Sequence, residues 1–252
     1  MTRLALLRRA GAELLGTGAL VAIVVGSGIA AERLSTDPGL RLLENSLATA
    51  LGLAALIVLL GPVSGAHFNP VVSIADAVLG RRRATGLTSA ATAAYIVAQL
   101  LGGICGAVLA NAMFQVPTSI SVTERANAGT LLGEVVATAG LVLLIAGMVR
   151  AAHGIPAIAM AVGAYIGAAY WFTSSTAFAN PAVTVGRIFS DTFAGISPGS
   201  ALPFLGAQLV GAALGMLLTV ALFPASASVL PPSTASDAGS AAAIQPTREE
   251  TP

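Results

Sequence analysis

Six stretches of the chain run apolar with scarcely a charge among them: residues 10–31, 42–62, 86–111, 128–149, 155–174 and 201–223. Each is close to the roughly 20 residues an α-helix needs to cross a hydrocarbon core, so the pattern predicts six transmembrane helices. Two shorter apolar segments, 69–79 and 180–190, follow the second and fifth spans, and each opens on Asn-Pro. Asn caps a helix and Pro fits its first turn, so each segment reads as a helix start. Such a segment extends about 16 Å as helix, half of a ~30 Å hydrocarbon core. Two helix starts at that depth expose backbone N–H groups that lipid cannot satisfy, which points to a polar path between them.

The chain also repeats itself. Ala12-Glu13-Leu14-Leu15-Gly16-Thr17 resembles Gly133-Glu134-Val135-Val136-Ala137-Thr138 at an offset of 121, Ala98-Gln99-Leu100-Leu101-Gly102 resembles Ala207-Gln208-Leu209-Val210-Gly211 at 109, and the two Asn-Pro pairs fall between at 111. Matches in one order at similar offsets define two halves, about 10–111 and 128–223, of three spans each. An odd span count inverts the second half against the first. The two half-helices then enter from opposite faces and meet near Pro70 and Pro181, an architecture that places a site at the midplane.

Arg3, Arg8 and Arg9 precede the first span, as they would a secretory leader cleaved near Ala30. The repeat partner of this segment favours a retained span instead. Assigning Arg3, Arg8, Arg9, Arg81, Arg82, Arg83, Arg150 and Arg248 to one side leaves Arg33, Arg41, Arg125 and Arg187 on the other, and the positive-inside bias puts both termini in the cytoplasm. A channel domain is expected over 1–223, with a disordered tail over 224–252, where Pro, Ser and Ala dominate.

Composition narrows the class. The chain is 56% hydrophobic and 9% charged, with a mean hydropathy of +0.86, values typical of a polytopic membrane protein whose main partner is the lipid bilayer. A net charge of +1 gives no reason to expect nucleic acid. The single Cys105 excludes an internal disulfide and reads as a small packed residue. No nucleophile paired with a base, metal cluster or phosphate loop is evident, so no enzyme activity, cofactor or metal is expected.

Ser64-Gly65-Ala66-His67-Phe68-Asn69-Pro70, Asn180-Pro181-Ala182 and the repeated Glu13 and Glu134 resemble the aquaporin and aquaglyceroporin family of major intrinsic proteins, over about residues 10–223. The resemblance implies an all-α membrane protein of six transmembrane helices plus two re-entrant half-helices, with a passive pore in each protomer of a homotetramer. Its pore motifs map to Asn69, Pro70, Val71 and Asn180, Pro181, Ala182, the two Asn side chains offering N–H donors to a passing solute. Both half-helix N-termini carry partial positive charge, which opposes a cation at the centre. Glu13 and Glu134 are expected as buried scaffolding carboxyls for the turns leading into the half-helices. His67 either lines the cytoplasmic vestibule, as the family position does, or packs.

The family's narrowest ring, counted by motif position, falls on Thr49, Ala168, Ala177 and Val183, the first two by ungapped spacing. Most members carry Arg where this chain has Val183, so the ring is expected to be wide, apolar and uncharged, without the donors and charge of a guanidinium. Arg187 lies four residues on, one helical turn away. It could reach back over the ring, or pair with Asp191; the pair is the expected outcome. The phrase around Asn180 looks like a bacterial subgroup associated with arsenic resistance. The expected function is a passive plasma-membrane channel for small neutral solutes: glycerol-like polyols, arsenous acid or other metalloid hydroxides, and water. Alternatives are a water-selective channel, a coupled transporter using Glu13 and Glu134, and a closed-pore structural protein.

Overall fold

The computed structural model describes residues 2–81 and 84–223, which form eight helices with no strand among them. In chain order these are α1 (Arg3–Leu34), α2 (Pro38–Ser64), α3 (Pro70–Gly80), α4 (Ser89–Met113), α5 (Ala128–Arg150), α6 (Ile155–Phe172), α7 (Pro181–Arg187) and α8 (Pro198–Leu222). Six of them are long and apolar enough to cross a membrane, by length and composition. The expected tail over 224–252, with Arg248, lies outside the described residues, as do Arg82 and Arg83.

The spans are inside-out relative to a water-soluble core. Leu15, Leu51, Leu59, Leu132, Leu209 and Leu217 are exposed on their outer faces, while Glu13, Asn45, Gln99, Glu134 and Gln208 are buried. Apolar side chains facing lipid cost nothing, and backbone groups are satisfied within each helix. Cys105 is exposed on α4, not packed as its apolar surroundings suggested.

Helices pair by repeat: α1 packs chiefly on α4, α5 on α8, and α2 joins α6 across the halves. With no hydrophobic drive between helices in lipid, small residues that allow close backbone approach decide these crossings. A Cβ added to Gly211 would stand 2.6 Å from the Val135 carbonyl oxygen, and one on Gly215 the same distance from that of Ala139. Gly102 and Gly106 meet the Leu14 and Gly18 carbonyls in the same way, and Gly163 meets that of Ala50. These glycines therefore serve crossings within one protomer.

α3 has the expected eleven residues, but α7 has seven. α7 stops early because its last turn tightens: Ile188 N bonds the Val185 carbonyl and Phe189 N that of Gly186. The following loop folds back, with Ile196 N donating to the Arg187 carbonyl.

Candidate functional site

The two re-entrant turns are assembled from the same parts. Ala66 and Phe68 in the first, and Ala177 and Ala179 in the second, hold left-handed φ values of 50°, 48°, 50° and 47°. Non-glycine residues there cost of order 1–3 kcal/mol each and persist only when the surroundings over-determine them. The two buried carboxylates supply that constraint. Glu13 accepts from Ser64 Oγ at 2.6 Å, His67 N at 3.0 Å, Phe68 N at 2.6 Å and Gln99 Nε2 at 2.8 Å. Glu134 accepts from Phe178 N and Ala179 N at 2.9 Å and from Gln208 Nε2 at 2.7 Å. Each Gln also bonds the half-helix, Gln99 to Ser73 Oγ and Gln208 to Thr184 Oγ1. The carboxylates thus tie the first helix of each repeat to its re-entrant turn.

The half-helix tips meet by exchanging hydrogen bonds. Asn69 Nδ2 donates to the Ala179 carbonyl and Asn180 Nδ2 to that of Phe68, both at 2.8 Å. The same side chains cap their own helices: Asn69 Oδ1 accepts from Val71 N, and Asn180 Oδ1 from Ala182 N and Val183 N. Pro70 and Pro181 occupy the first helical turn, where no N–H partner is needed. An amide nitrogen carries two N–H groups. With one spent on the opposite turn, each Asn keeps one to offer the cavity it lines.

That cavity runs past both tips. Its walls are largely aliphatic, from Leu20, Val24, Leu53, Leu141, Val162 and Ile166, and its polar groups come from Thr49, His67, Asn69, Asn180, Tyr170 and Arg187. Of the residues counted into the ring, Thr49, Ala177 and Val183 line it. Ala168 does not. It is exposed on the outer face of α6, because the inward stripe of that helix runs Val162, Ile166, Tyr170 at i, i+4, i+8 and residue 168 falls about 200° from either neighbour in the stripe. Tyr170 stands in its place, with its hydroxyl 3.1 Å from Thr49 Oγ1.

The surroundings of Arg187 are a second correction. Arg187 lines the cavity, buried at 3% exposure, with its guanidinium carbon 3.4 Å from the centroid of the Phe178 ring. Its Nε donates to the Ala194 carbonyl. The expected pair with Asp191 does not form: Asp191 is exposed and accepts from Ser121 Oγ and Val122 N. The i, i+4 geometry needs a helix through residue 191, and α7 ends at Arg187. His67 lines the cavity and also packs, with Nδ1 3.1 Å from Ser73 Oγ and its ring edge-on to Tyr95 at 5.5 Å. Among the described residues no group of three His, Cys, Asp or Glu could hold a metal.

Inverted three-span halves, two half-helices joined tip to tip and a cavity threading past them define a membrane channel architecture. The chain belongs to the major intrinsic protein family: the family model described as Major intrinsic protein matches residues 1–155. The aquaglyceroporin AqpS of Rhizobium meliloti (strain 1021) is 48% identical over 214 residues, covering 84% of this chain and 89% of that protein. Aquaporin Z of Brucella melitensis biotype 1 is 30% identical over 229 residues, covering 84% and 96%. Among solved structures, the aquaglyceroporin from Plasmodium falciparum matches the fold with a TM-score of 0.67 at 22% identity, over 86% of this chain and 95% of that one. This is a family of channels for water and small solutes, not of enzymes.

Proposed function

We propose that the chain forms a passive pore for small neutral solutes of the size of glycerol or arsenous acid, with water passing alongside. The observation that carries this reading is the lining itself: aliphatic walls broken by a few donors, among them one amide from each of Asn69 and Asn180. A trihydroxy solute can hand its hydroxyls from one donor to the next while its carbon or metalloid centre slides along the apolar wall. The similarity to an aquaglyceroporin at 48% identity supports the same solute class. The size-setting ring comprises Thr49, Tyr170, Ala177 and Val183, and the family motif residues Pro70, Val71, Pro181 and Ala182 hold the tips in place. The pore serves a homotetramer in the plasma membrane with both termini cytoplasmic; Arg3, Arg8, Arg9, Arg81 and Arg150 on the terminal side against Arg33, Arg41, Arg125 and Arg187 opposite support that orientation.

One observation favours a narrower, water-selective pore. Tyr170 is bulkier than the Ala counted at its place, and it bonds Thr49. Influx of glycerol and of arsenous acid into liposomes carrying the purified protein separates the two readings. Uptake of both faster than empty liposomes, and its loss in Val183→Arg, is the expected result. Water flux without either solute would establish the water-selective reading.

A further inference from the structure

Two features of the pore wall lie one helical turn apart and have opposite character. At Val183 the half-helix presents a branched apolar side chain to a cavity also lined by Ala177 and by the hydrogen-bonded Tyr170 and Thr49. At Arg187 the same helix presents a buried guanidinium to the same cavity. The guanidinium is fixed on two sides, by the Ala194 carbonyl at Nε and by the Phe178 ring beneath it. Among the described residues its terminal amino groups have no hydrogen-bond acceptor, and Arg187 makes no ion pair. Asp191, the nearest acid along the chain, is turned to Ser121 and Val122. A second guanidinium packs near the same ring: Arg125, held by the Gly195 and Phe193 carbonyls, lies 5.7 Å from the centroid of Phe178. A buried cation with no direct ion-pair partner, the buried Glu134 carboxylate acting on it only from a longer distance, projects its field into the low-dielectric passage it faces.

We infer that this pore, given the channel reading above, separates size selection from charge selection along its axis: the ring at Val183 sets the aperture, and Arg187, one turn nearer the mouth, is the barrier to cations. A guanidinium at position 183 would supply charge and fill the aperture together. Moved to position 187 and packed against Phe178, it leaves the size ring open while its charge still acts on every ion that approaches. An aperture wide enough for a triol then stays tight to sodium and potassium.

The test uses the full-length protein in planar bilayers and proteoliposomes, with glycerol influx and potassium current measured side by side. The wild type passes glycerol without measurable current. Arg187→Ala still passes glycerol and gains potassium current of about tenfold or more over the wild type, because the fixed charge is gone. Arg187→Lys keeps the charge and stays tight. Val183→Arg/Arg187→Ala is tight again but loses about tenfold in glycerol influx, since the new side chain occupies the size ring. If Arg187→Ala fails to fold, Arg187→Gln retains a donor toward Ala194 and carries the same prediction. A folded, glycerol-conducting Arg187→Ala or Arg187→Gln that remains tight to potassium overturns the inference alone. A wild type with no glycerol influx overturns the channel reading for this solute class and the inference with it.

Discussion

At position 67 the first re-entrant turn carries His, and at the repeat-related position 178 the second carries Phe. Each packs edge-on against an aromatic ring from the third span of its own repeat, Tyr95 at 5.5 Å and Phe204 at 5.2 Å, with interplanar angles of 67° and 72°. Nine residues further along, Asp76 of the first half-helix accepts from Leu87 N in the adjoining loop, whereas Arg187 of the second faces the cavity. Backbone conformation, carboxylate ties and aromatic geometry match between the halves, while polarity and charge do not. The scaffold is therefore separable from the lining. Buried Glu, Gln and Asn fix the path, and the side chains carried along it set what passes.

The scaffold itself is not fully symmetric, and the difference predicts a ranking. Glu13 receives four donors and Glu134 three, because Ser64 Oγ reaches Glu13 while its counterpart Ser175 Oγ lies 3.5 Å from Thr173 Oγ1. Each buried donor left unpaired costs about 1–3 kcal/mol. Glu13→Ala should therefore have the largest effect of any single change considered, with loss of monodisperse protein, and Glu134→Ala should lower the melting temperature less. Equal losses would mean that the fourth donor contributes nothing.

The Asn pair ranks the other way. Asn180 caps with two bonds and Asn69 with one, and each loses one bridge to the opposite turn. Removing an N-cap costs ~1 kcal/mol, so Asn180→Ala should melt several degrees below wild type and below Asn69→Ala in thermal unfolding followed by circular dichroism. Smaller still is Tyr170→Phe, which removes the Thr49 hydrogen bond at about 1 kcal/mol. Its signature is functional: faster influx of solutes larger than water. The smallest expected effect on stability is that of Phe178→His, which copies the first turn into the second. A melting temperature within a few degrees of wild type would support separable scaffold and lining, and a collapse would contradict it.

The scaffold was legible in the sequence because its elements are defined by long-range hydropathy and by motif residues fixed within a few positions of Asn69 and Asn180. The repeat matched Glu13 to Glu134, and the family resemblance paired both with the turns. The lining was less legible because it depends on helix phase and on where a helix stops. Counting back twelve residues from Asn180 assumes an ungapped loop and lands on Ala168, while the stripe Val162, Ile166, Tyr170 identifies the inward face. That i, i+4, i+8 spacing was present in the sequence and would have found Tyr170. Arg187 was misjudged for a similar reason: pairing it with Asp191 presumed eleven residues of helix, and the tightened turn after Val185 ends α7 at seven. Nothing local in the sequence marks the fold-back that brings the Ala194 carbonyl to its guanidinium.

We propose a passive path for neutral solutes past the two Asn tips. Its most direct test is the initial rate of glycerol influx into proteoliposomes over a wide range of glycerol concentration, with and without an imposed proton gradient. A rate above empty liposomes that rises in proportion to concentration and ignores the gradient is the predicted result. A rate equal to empty liposomes, or one that saturates and follows the gradient, would contradict it.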